Sequence, residues 1–195
     1  MELIDFALVL QIFALINPLS SFPILLSAYK NKMDVKKIAI NAVVVAFFIA
    51  LVIALIGTYL FNLFGVTLDS FRIAGGIILL LLGLDTVRSK GDKSEEYKNI
   101  GKMDSIISII ATPLLTGPAT ISFITIKTFE IGRVSIILDL LLAFILVAIV
   151  FIIFGFSVKR INPKVIDISS KVFGLFLTAV AIEMIVKGIT GLLRI

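Results

Sequence analysis

Six long apolar stretches dominate the chain and restrict the folds available to it. Each is long enough to cross a hydrocarbon core of about 30 Å as a helix. The stretches are about 3–29, 38–63, 69–88, 103–128, 134–158 and 167–192. The mean hydropathy is +1.17 and only 16% of the 195 residues are charged, which lies outside the range of soluble globular proteins. We therefore expect an all-α, polytopic membrane protein that crosses the lipid bilayer six times.

The first and fourth stretches each contain the same kind of proline motif. The two copies are Asn17-Pro18-Leu19-Ser20-Ser21-Phe22-Pro23 and Thr112-Pro113-Leu114-Leu115-Thr116-Gly117-Pro118. Proline removes a backbone donor and pushes the residue before it away from helical angles. In lipid the freed backbone groups find no water, so such a break is expected only where it faces protein or a polar cavity. We predict that the first and fourth helices are broken.

A broken helix offers a ligand two kinds of end. We expect first half-helices at about 3–16 and 103–111, and second half-helices that start near Pro18 and near Pro113 or Pro118. Asn17 and Thr112 are residues that cap such starts through their side-chain oxygens. The start of a half-helix suits a carboxylate, and the carbonyls at the end of the preceding one suit an ammonium group or a cation. This pair of ends matches a zwitterion such as an amino acid.

The predicted substrate contacts come from both motifs and their polar neighbours. They are Asn17, Pro18, Ser20, Ser21, Pro23, Thr112, Pro113, Thr116, Gly117, Pro118 and Thr120. A single proline motif indicates a simple kink as readily as a site, because neighbouring groups often repair the backbone. Two motifs at matching places in two halves favour a site near the bilayer midplane.

The positions of the charged residues divide the chain and orient it. A polar linker at 89–102 separates a first three-helix repeat, 1–88, from a second, 103–195. Most of the 18 Lys and Arg residues fall in the connections at about 30–37, 88–102 and 159–171, which we expect on the cytoplasmic side. Both termini then lie outside the cell membrane, and the repeats are inverted. The alternative is a pair of re-entrant hairpins, which would split the positive charge between the two faces.

Three acidic residues within the apolar stretches are candidates for carrying a coupling ion, H⁺ or Na⁺. They are Glu183, Asp139 and Asp85. A charge at the helix centre costs about 2.5–3.5 kcal/mol on insertion scales, so it usually has a partner or a task. Simpler interpretations exist: Glu183 pairs with Lys187 at i+4, Asp85 pairs with Arg88 at i+3, and Asp139 is interfacial.

Several function classes are not expected. The chain has no Cys and no His, and no carboxylate cluster is spaced to hold a metal. We therefore predict neither an enzyme, nor a metal site, nor a cofactor. The basic residues lie in short connections where they set orientation, so a nucleic-acid partner is not predicted. The oligomeric state does not follow from the sequence.

The chain resembles the MarC family of six-span integral membrane proteins over essentially its whole length. The resemblance rests on the two proline motifs and on Phe71-Arg72-Ile73-Ala74-Gly75-Gly76-Ile77. It implies a transporter of small neutral amino acids such as glycine and alanine, with neither the direction nor the coupling ion fixed.

Two other functions share these features. A passive channel of the aquaporin type also has six spans and two half-helix motifs, but only one motif here has Asn before Pro. Each motif also lies in the first span of its half, with no additional half-helix loop. Lipid scrambling is a third possibility that no sequence feature favours.

Overall fold

A computed structural model of the chain describes residues 4–88, 103–157 and 163–193, and the regular structure there is entirely helical. The α-helices are α1 Phe6–Ile16, α2 Phe22–Lys30, α3 Val35–Phe64, α4 Leu68–Arg88, α5 Met103–Ile109, α6 Pro118–Ile131, α7 Arg133–Ser157 and α8 Pro163–Leu193. A 3₁₀ turn at Pro18–Ser21 joins α1 to α2, and a π-helical stretch at Ile110–Leu115 follows α5. The predicted all-α class is confirmed for this part of the chain. The predicted linker, 89–102, lies outside the described residues.

Five helical segments within the described ranges are long and apolar enough to cross a membrane. They are Phe6–Lys30, Val35–Gly57, Leu68–Arg88, Arg133–Phe156 and Val165–Leu193. The first combines α1, the 3₁₀ turn and α2. The fourth predicted stretch, 103–128, is absent from this set because the π-helical stretch and the bend after it divide it into shorter helices.

Local sequence signals account for where the long helices begin and end. The Asp34 carboxylate accepts a hydrogen bond from the Lys37 amide and so caps the start of α3. Gly65 ends α3 with a φ of 63°, a left-handed conformation that glycine adopts without steric cost. Asp5 caps α1 by accepting hydrogen bonds from the Ala7 and Leu8 amides.

The first broken segment and α6 lie in the interior of the bundle. In the most apolar window of Phe6–Lys30, 61% of residues are buried, against 22–39% in the other four candidate spans. Most of α6 is also buried, including Phe123 and Ile124, whereas Ile106 is the one buried residue of the seven in α5. The long helices α3, α4, α7 and α8 carry many exposed apolar side chains. The first broken segment and α6 are therefore more enclosed than the continuous helices.

Helices α3 and α7 pack against each other in opposite directions. Lys36 near the start of α3 lies 3.6 Å above the ring of Phe156 near the end of α7. Further along, the rings of Phe47 and Phe144 are 5.6 Å apart. Residue numbers rise along one helix as they fall along the other, so the pair is antiparallel.

Helices α4 and α8 form the most extensive helix pair and are also antiparallel. A Cβ atom at Gly76 would lie 2.9 Å from the Ala181 carbonyl oxygen, and one at Gly83 would lie 3.0 Å from the Gly174 carbonyl oxygen. Only glycine permits backbones this close, which is how helices commonly associate in lipid.

The first half of the first broken segment follows α7. The Asp5 amide donates to Asp139 near the start of α7 (3.0 Å), whereas the ring of Phe22, the first residue of α2, stacks at 4.2 Å on Phe154 near its end. Helix α1 and the 3₁₀ turn thus run parallel to α7. Helices α5 and α6 both pack on α3. Neither α1 and α2 nor α5 and α6 form an extensive side-by-side contact within the described ranges.

Candidate functional site

The first interruption begins at Asn17, which ends α1 in a left-handed conformation with φ of 43° and ψ of 66°. Its amide donates to the carbonyl oxygens of Phe13 (3.2 Å) and Ala14 (3.1 Å), and so closes the last turn. Pro18 follows and has no N–H to offer the α1 carbonyls. Asn17 is only 4% exposed, and its side-chain Oδ1 has no hydrogen-bond partner in the described part of the chain.

Two serines occupy the 3₁₀ turn and differ in their partners. The Ser20 hydroxyl donates to the Asn17 carbonyl oxygen at 2.8 Å. Ser21 is fully buried, and its Oγ has no partner among the described residues. A buried hydroxyl or amide without a hydrogen bond costs free energy, so it signals a role outside the internal packing. Pro23 lies half-buried in the first turn of α2.

The prediction that Asn17 caps the second half-helix through its side chain is wrong. No side-chain hydrogen bond caps the 3₁₀ turn or α2. The left-handed backbone makes Asn17 the C-cap of α1, a role that Asn fills more readily than most residues. The consequence is that Asn17 Oδ1 is not used by the described contacts.

The second interruption has a different backbone. Helix α5 widens into the π-helical stretch, in which the Thr116 amide donates to the Ala111 carbonyl oxygen (3.1 Å), five residues back. Thr116 is fully buried, and its Oγ1 donates to the Ala46 carbonyl oxygen in α3 at 3.1 Å. The chain then extends at Gly117 before α6 starts at Pro118.

The break therefore occurs at Thr116 and Gly117, not at Thr112-Pro113 as the half-helix boundary at residue 111 predicted. Proline clashes with the carbonyl four residues earlier in an α-helix, and the wider π-turn relieves such a clash without ending the helix. The alternative start at Pro118 is the one adopted, and α6 begins there. The side chains of Thr112 and Pro113 lie outside the described part of the structure.

The start of α6 offers backbone donors. Gly117 is the N-cap and no side chain caps it, while Pro118 at the first helical position has no N–H. The amides of Ala119 and Thr120 are next in line, at the partially positive end of a 14-residue helix. Both residues are buried.

The two interruptions lie against each other. The 3₁₀ turn at Pro18–Ser21 packs on the π-helical stretch at Ile110–Leu115. The fold thus brings together the two motifs that are farthest from regular helix, inside the bundle. The predicted contacts Asn17, Ser21, Thr116 and Thr120 are all buried. Asn17 and Ser21 lie at the 3₁₀ turn, Thr116 directly follows the π-helical stretch, and Thr120 is in the first turn of α6.

The three candidate coupling carboxylates have different surroundings. Glu183 is largely exposed and pairs with Lys187 at 2.6 Å, as the i+4 interpretation predicted. Asp85 is exposed near the end of α4. Asp139 is fully buried; its Oδ1 accepts from the Asp5 amide, and its Oδ2 has no partner among the described residues. No group of three or more acidic residues within the described ranges is placed to hold a metal ion.

One polar arrangement was not anticipated from the sequence. Arg72 in α4 donates to Asp69 (2.7 Å) and to Glu130 in α6 (2.5 Å), and Glu130 also accepts from Lys127 (2.8 Å). No local pattern could reveal it, because Arg72 and Glu130 are 58 residues apart and meet only through packing of α4 on α6.

The motifs and the fold agree with comparisons to known proteins. The family model described as MarC family integral membrane protein matches residues 3–193. The chain belongs to the MarC family. The resemblance that rests on the proline motifs is thereby confirmed, and the chain is an integral membrane protein with several apolar helices.

Three relatives from different organisms are named as UPF0056 membrane proteins. The chain is 34% identical to a UPF0056 membrane protein of Methanocaldococcus jannaschii, over 94% of each chain. It is 30% identical to one of Aquifex aeolicus, over 95% of this chain and 92% of that one. It is 27% identical to the UPF0056 membrane protein YhcE of Escherichia coli, over 96% and 92%. No solved structure matches the chain.

Proposed function

We propose that this MarC family protein is a secondary transporter of small neutral amino acids, glycine or alanine in size, that works by alternating access around the two interruptions. The observation that carries the proposal is the junction between the interruptions, where Asn17 Oδ1 and Ser21 Oγ are buried and have no partner among the residues that the structure describes. Buried polar atoms that lack a hydrogen-bond partner are suited to bind a polar solute, because the apolar interior offers them no hydrogen bond.

The junction has groups for both charges of a zwitterion. The uncapped start of α6, with the amides of Ala119 and Thr120, suits a carboxylate. Asn17 Oδ1 is an acceptor for an ammonium group, and Ser21 Oγ both accepts and donates. A solute held in this way binds and leaves without any covalent step, so the proposal includes no enzyme activity and no cofactor.

Helix packing supports six spans built as two inverted repeats, 1–88 and 103–195. In that arrangement α3 corresponds to α7, α4 to α8, and the first interruption to the second. Each element packs on its own counterpart, and both helix pairs are antiparallel. Antiparallel counterparts are what inversion requires, since repeats of the same orientation would place them parallel.

The same packing supports full, broken spans over re-entrant hairpins. A hairpin would lay α1 beside α2 and α5 beside α6. Instead α1 and the 3₁₀ turn follow α7 from Asp139 to Phe154, and within the described ranges neither α1 and α2 nor α5 and α6 pack extensively side by side. The uneven charge supports an orientation in the cytoplasmic membrane with both termini outside, with Lys30 and Arg88 at the cytoplasmic ends of α2 and α4.

Asp139 is the carboxylate best suited to carry a coupling proton or Na⁺. An ionised carboxylate with an unpartnered oxygen is costly inside a membrane protein, and a cation on Oδ2 would remove that cost. The hydrogen bond from the Asp5 amide connects the Asp139 side chain to the start of α1, and Asn17 caps the other end of that helix. We expect Asp139→Asn to abolish accumulation driven by a proton or sodium gradient, whereas the exposed Asp85→Asn leaves it intact.

Uptake of labelled alanine into proteoliposomes tests the proposed function. Wild-type protein should accumulate alanine above empty vesicles when a proton or sodium gradient is imposed. No uptake of alanine or glycine under either gradient would overturn the proposal. Stopped-flow shrinkage of the same vesicles separates transport from the channel alternative, because a passive channel speeds shrinkage greatly and a transporter does not.

A further inference from the structure

A polar cavity lies between helices that lead to the interruptions. It has a volume of about 220 Å³, is partly open, and is lined by residues of α1, α4, α6 and α8, close to the ends at which α4 starts and α6 ends. Its polar lining consists of Gln11, Arg72, Lys127, Glu130, Glu183 and Lys187. Apart from Glu183, none of these residues belongs to the groups singled out as site candidates in the sequence.

One wall of the cavity is a linked set of charges. Glu130 accepts through Oε1 from Arg72 and through Oε2 from Lys127, so both of its oxygens are engaged by cations. Arg72 has five N–H groups and uses NH1 on Asp69 and NH2 on Glu130. Its side chain is only 18% exposed. The described contacts engage both Glu130 oxygens and two of the five Arg72 N–H groups, so Arg72 keeps N–H groups that these contacts do not use.

Glu183 adds an anionic acceptor to the lining, with one oxygen paired to Lys187. Lys187 contacts only Oε1 of Glu183, at 2.6 Å, and the Glu183 side chain is 61% exposed. Glu183 lies ten residues before the end of α8, about 15 Å along the helix axis. Charged residues at such depth in a membrane protein face water-filled cavities rather than lipid. Glu183 Oε2 is thus open to a cationic group in the cavity.

The remaining lining limits the size and character of an occupant. Phe123, Ile126, Val180 and Met184 give the cavity an apolar surface between its charged walls. Its volume is that of about seven water molecules at about 30 Å³ each. A carboxylate fits the Arg72 and Lys127 side, an ammonium group fits Glu183, and a short aliphatic side chain fits the apolar surface.

The cavity is near the interruptions along two helices. Gln11 lies in α1 six residues before Asn17, about 9 Å along the axis. Phe123 lies in α6 five residues after Pro118, about 7.5 Å along the axis. A solute in this cavity is therefore within about two helical turns of both motifs.

We propose that this cavity is a capture site for zwitterionic amino acids with small aliphatic side chains, which hold their carboxylate at Arg72 and Lys127 and their ammonium group at Glu183. The proposal rests on the proposed transport function and adds a second binding site to the transport pathway. It predicts that neither half of the zwitterion alone binds as well, because each would leave one charged wall unmatched.

Cysteine labelling tests the capture site directly, because the natural chain has no Cys. We would introduce Val180→Cys in the cavity and, as a control, Val134→Cys, which is 68% exposed at the start of α7. Reaction of each purified full-length variant in nanodiscs with a methanethiosulfonate reagent is followed with alanine, acetate or ethylamine. Alanine should slow labelling of Val180→Cys at least fivefold and leave Val134→Cys unchanged. Acetate and ethylamine should protect much less.

A matched pair of substitutions connects this protection to Glu183. Glu183→Gln should abolish protection by alanine, whereas Asp167→Asn should not, although Asp167 forms the same i,i+4 pair with Lys171 elsewhere on α8. Protection that survives Glu183→Gln, or no protection of the Val180→Cys protein, would overturn the capture site. Alanine uptake into proteoliposomes without protection would reject the capture site alone, and loss of both uptake and protection would reject the transport function as well.

Discussion

The two interruptions have similar sequences, but their backbones accommodate proline in different ways. At the first, Asn17 takes a left-handed conformation, and its Oδ1 and the Oγ of Ser21 have no partner among the described residues. At the second, the helix widens, and Thr116 uses its hydroxyl on the Ala46 carbonyl of α3. The Thr116 side chain is therefore anchored to a continuous helix, whereas the side chains of Asn17 and Ser21 keep polar atoms that the described contacts do not use. We infer that the side chains of the first interruption recognise the solute, and that the Thr116 side chain supports the junction while the backbone amides at the start of α6 receive the carboxylate.

Among substitutions at the two interruptions, Asn17→Gly should have the largest effect on the KM for alanine. Glycine adopts the φ of 43° at this position without strain, so the substitution removes the side chain and keeps the turn. Loss of one hydrogen bond to a charged ammonium group should raise the KM for alanine uptake about tenfold, equivalent to about 1.4 kcal/mol. Thermal stability in detergent should not change.

A matched control sharpens this result. Lys32 is also left-handed, with φ of 58°, but it is exposed between α2 and α3. Lys32→Gly should leave both KM and stability unchanged. An unaltered KM for Asn17→Gly, or an equal increase for Lys32→Gly, would remove the recognition role from the first interruption.

Thr116→Val should act on stability rather than on recognition. Valine has nearly the shape of threonine but cannot donate to Ala46, so about 1 kcal/mol of stability should be lost. The midpoint of thermal unfolding should fall by about 2–4 °C, with KM for alanine within twofold of the wild type. The control is Thr190→Val. The Thr190 hydroxyl is exposed and bonds to a carbonyl within α8, so its loss should have little effect on thermal stability. A tenfold rise in KM for Thr116→Val would mean that the Thr116 side chain also recognises the solute, and would contradict the difference between the two interruptions.

The smallest effect is expected from Ser21→Ala. The Ser21 hydroxyl has no partner in the described structure, so its removal should not lower stability and should raise KM about threefold, by roughly 0.5–1 kcal/mol. Ser20→Ala provides the contrast, because the Ser20 hydroxyl already bonds to the Asn17 carbonyl. If Ser20→Ala raises KM more than Ser21→Ala does, the unpartnered hydroxyl is not a ligand contact.

The positions of the helices could be predicted from the sequence because membrane burial leaves a strong apolar signal. The predicted stretch 38–63 corresponds to Val35–Phe64, and 69–88 corresponds to Leu68–Arg88. The presence of an interruption in the first and fourth stretches was also predictable, because proline restricts its own backbone and that of its neighbour.

The geometry of the interruptions could not be predicted in the same way. Proline motifs do not distinguish an α-helix that ends from one that widens, so the sequence left the start of the second half-helix open between Pro113 and Pro118 and ended the first half-helix at residue 111, before the π-helical stretch. Asn favours both the start of a helix and a left-handed end, and tertiary packing chooses between them. The link between Arg72 and Glu130 depends on packing between distant helices, for which the sequence carries no periodic signal.

The most direct measurement is a cryo-EM structure of the full-length protein in lipid nanodiscs with alanine. We expect density for alanine within hydrogen-bonding distance of Asn17 Oδ1 and Ser21 Oγ, between the 3₁₀ turn and the start of α6. A structure in which the two interruptions are separated, or in which alanine is bound while Asn17 Oδ1 and Ser21 Oγ contact only protein, would contradict it.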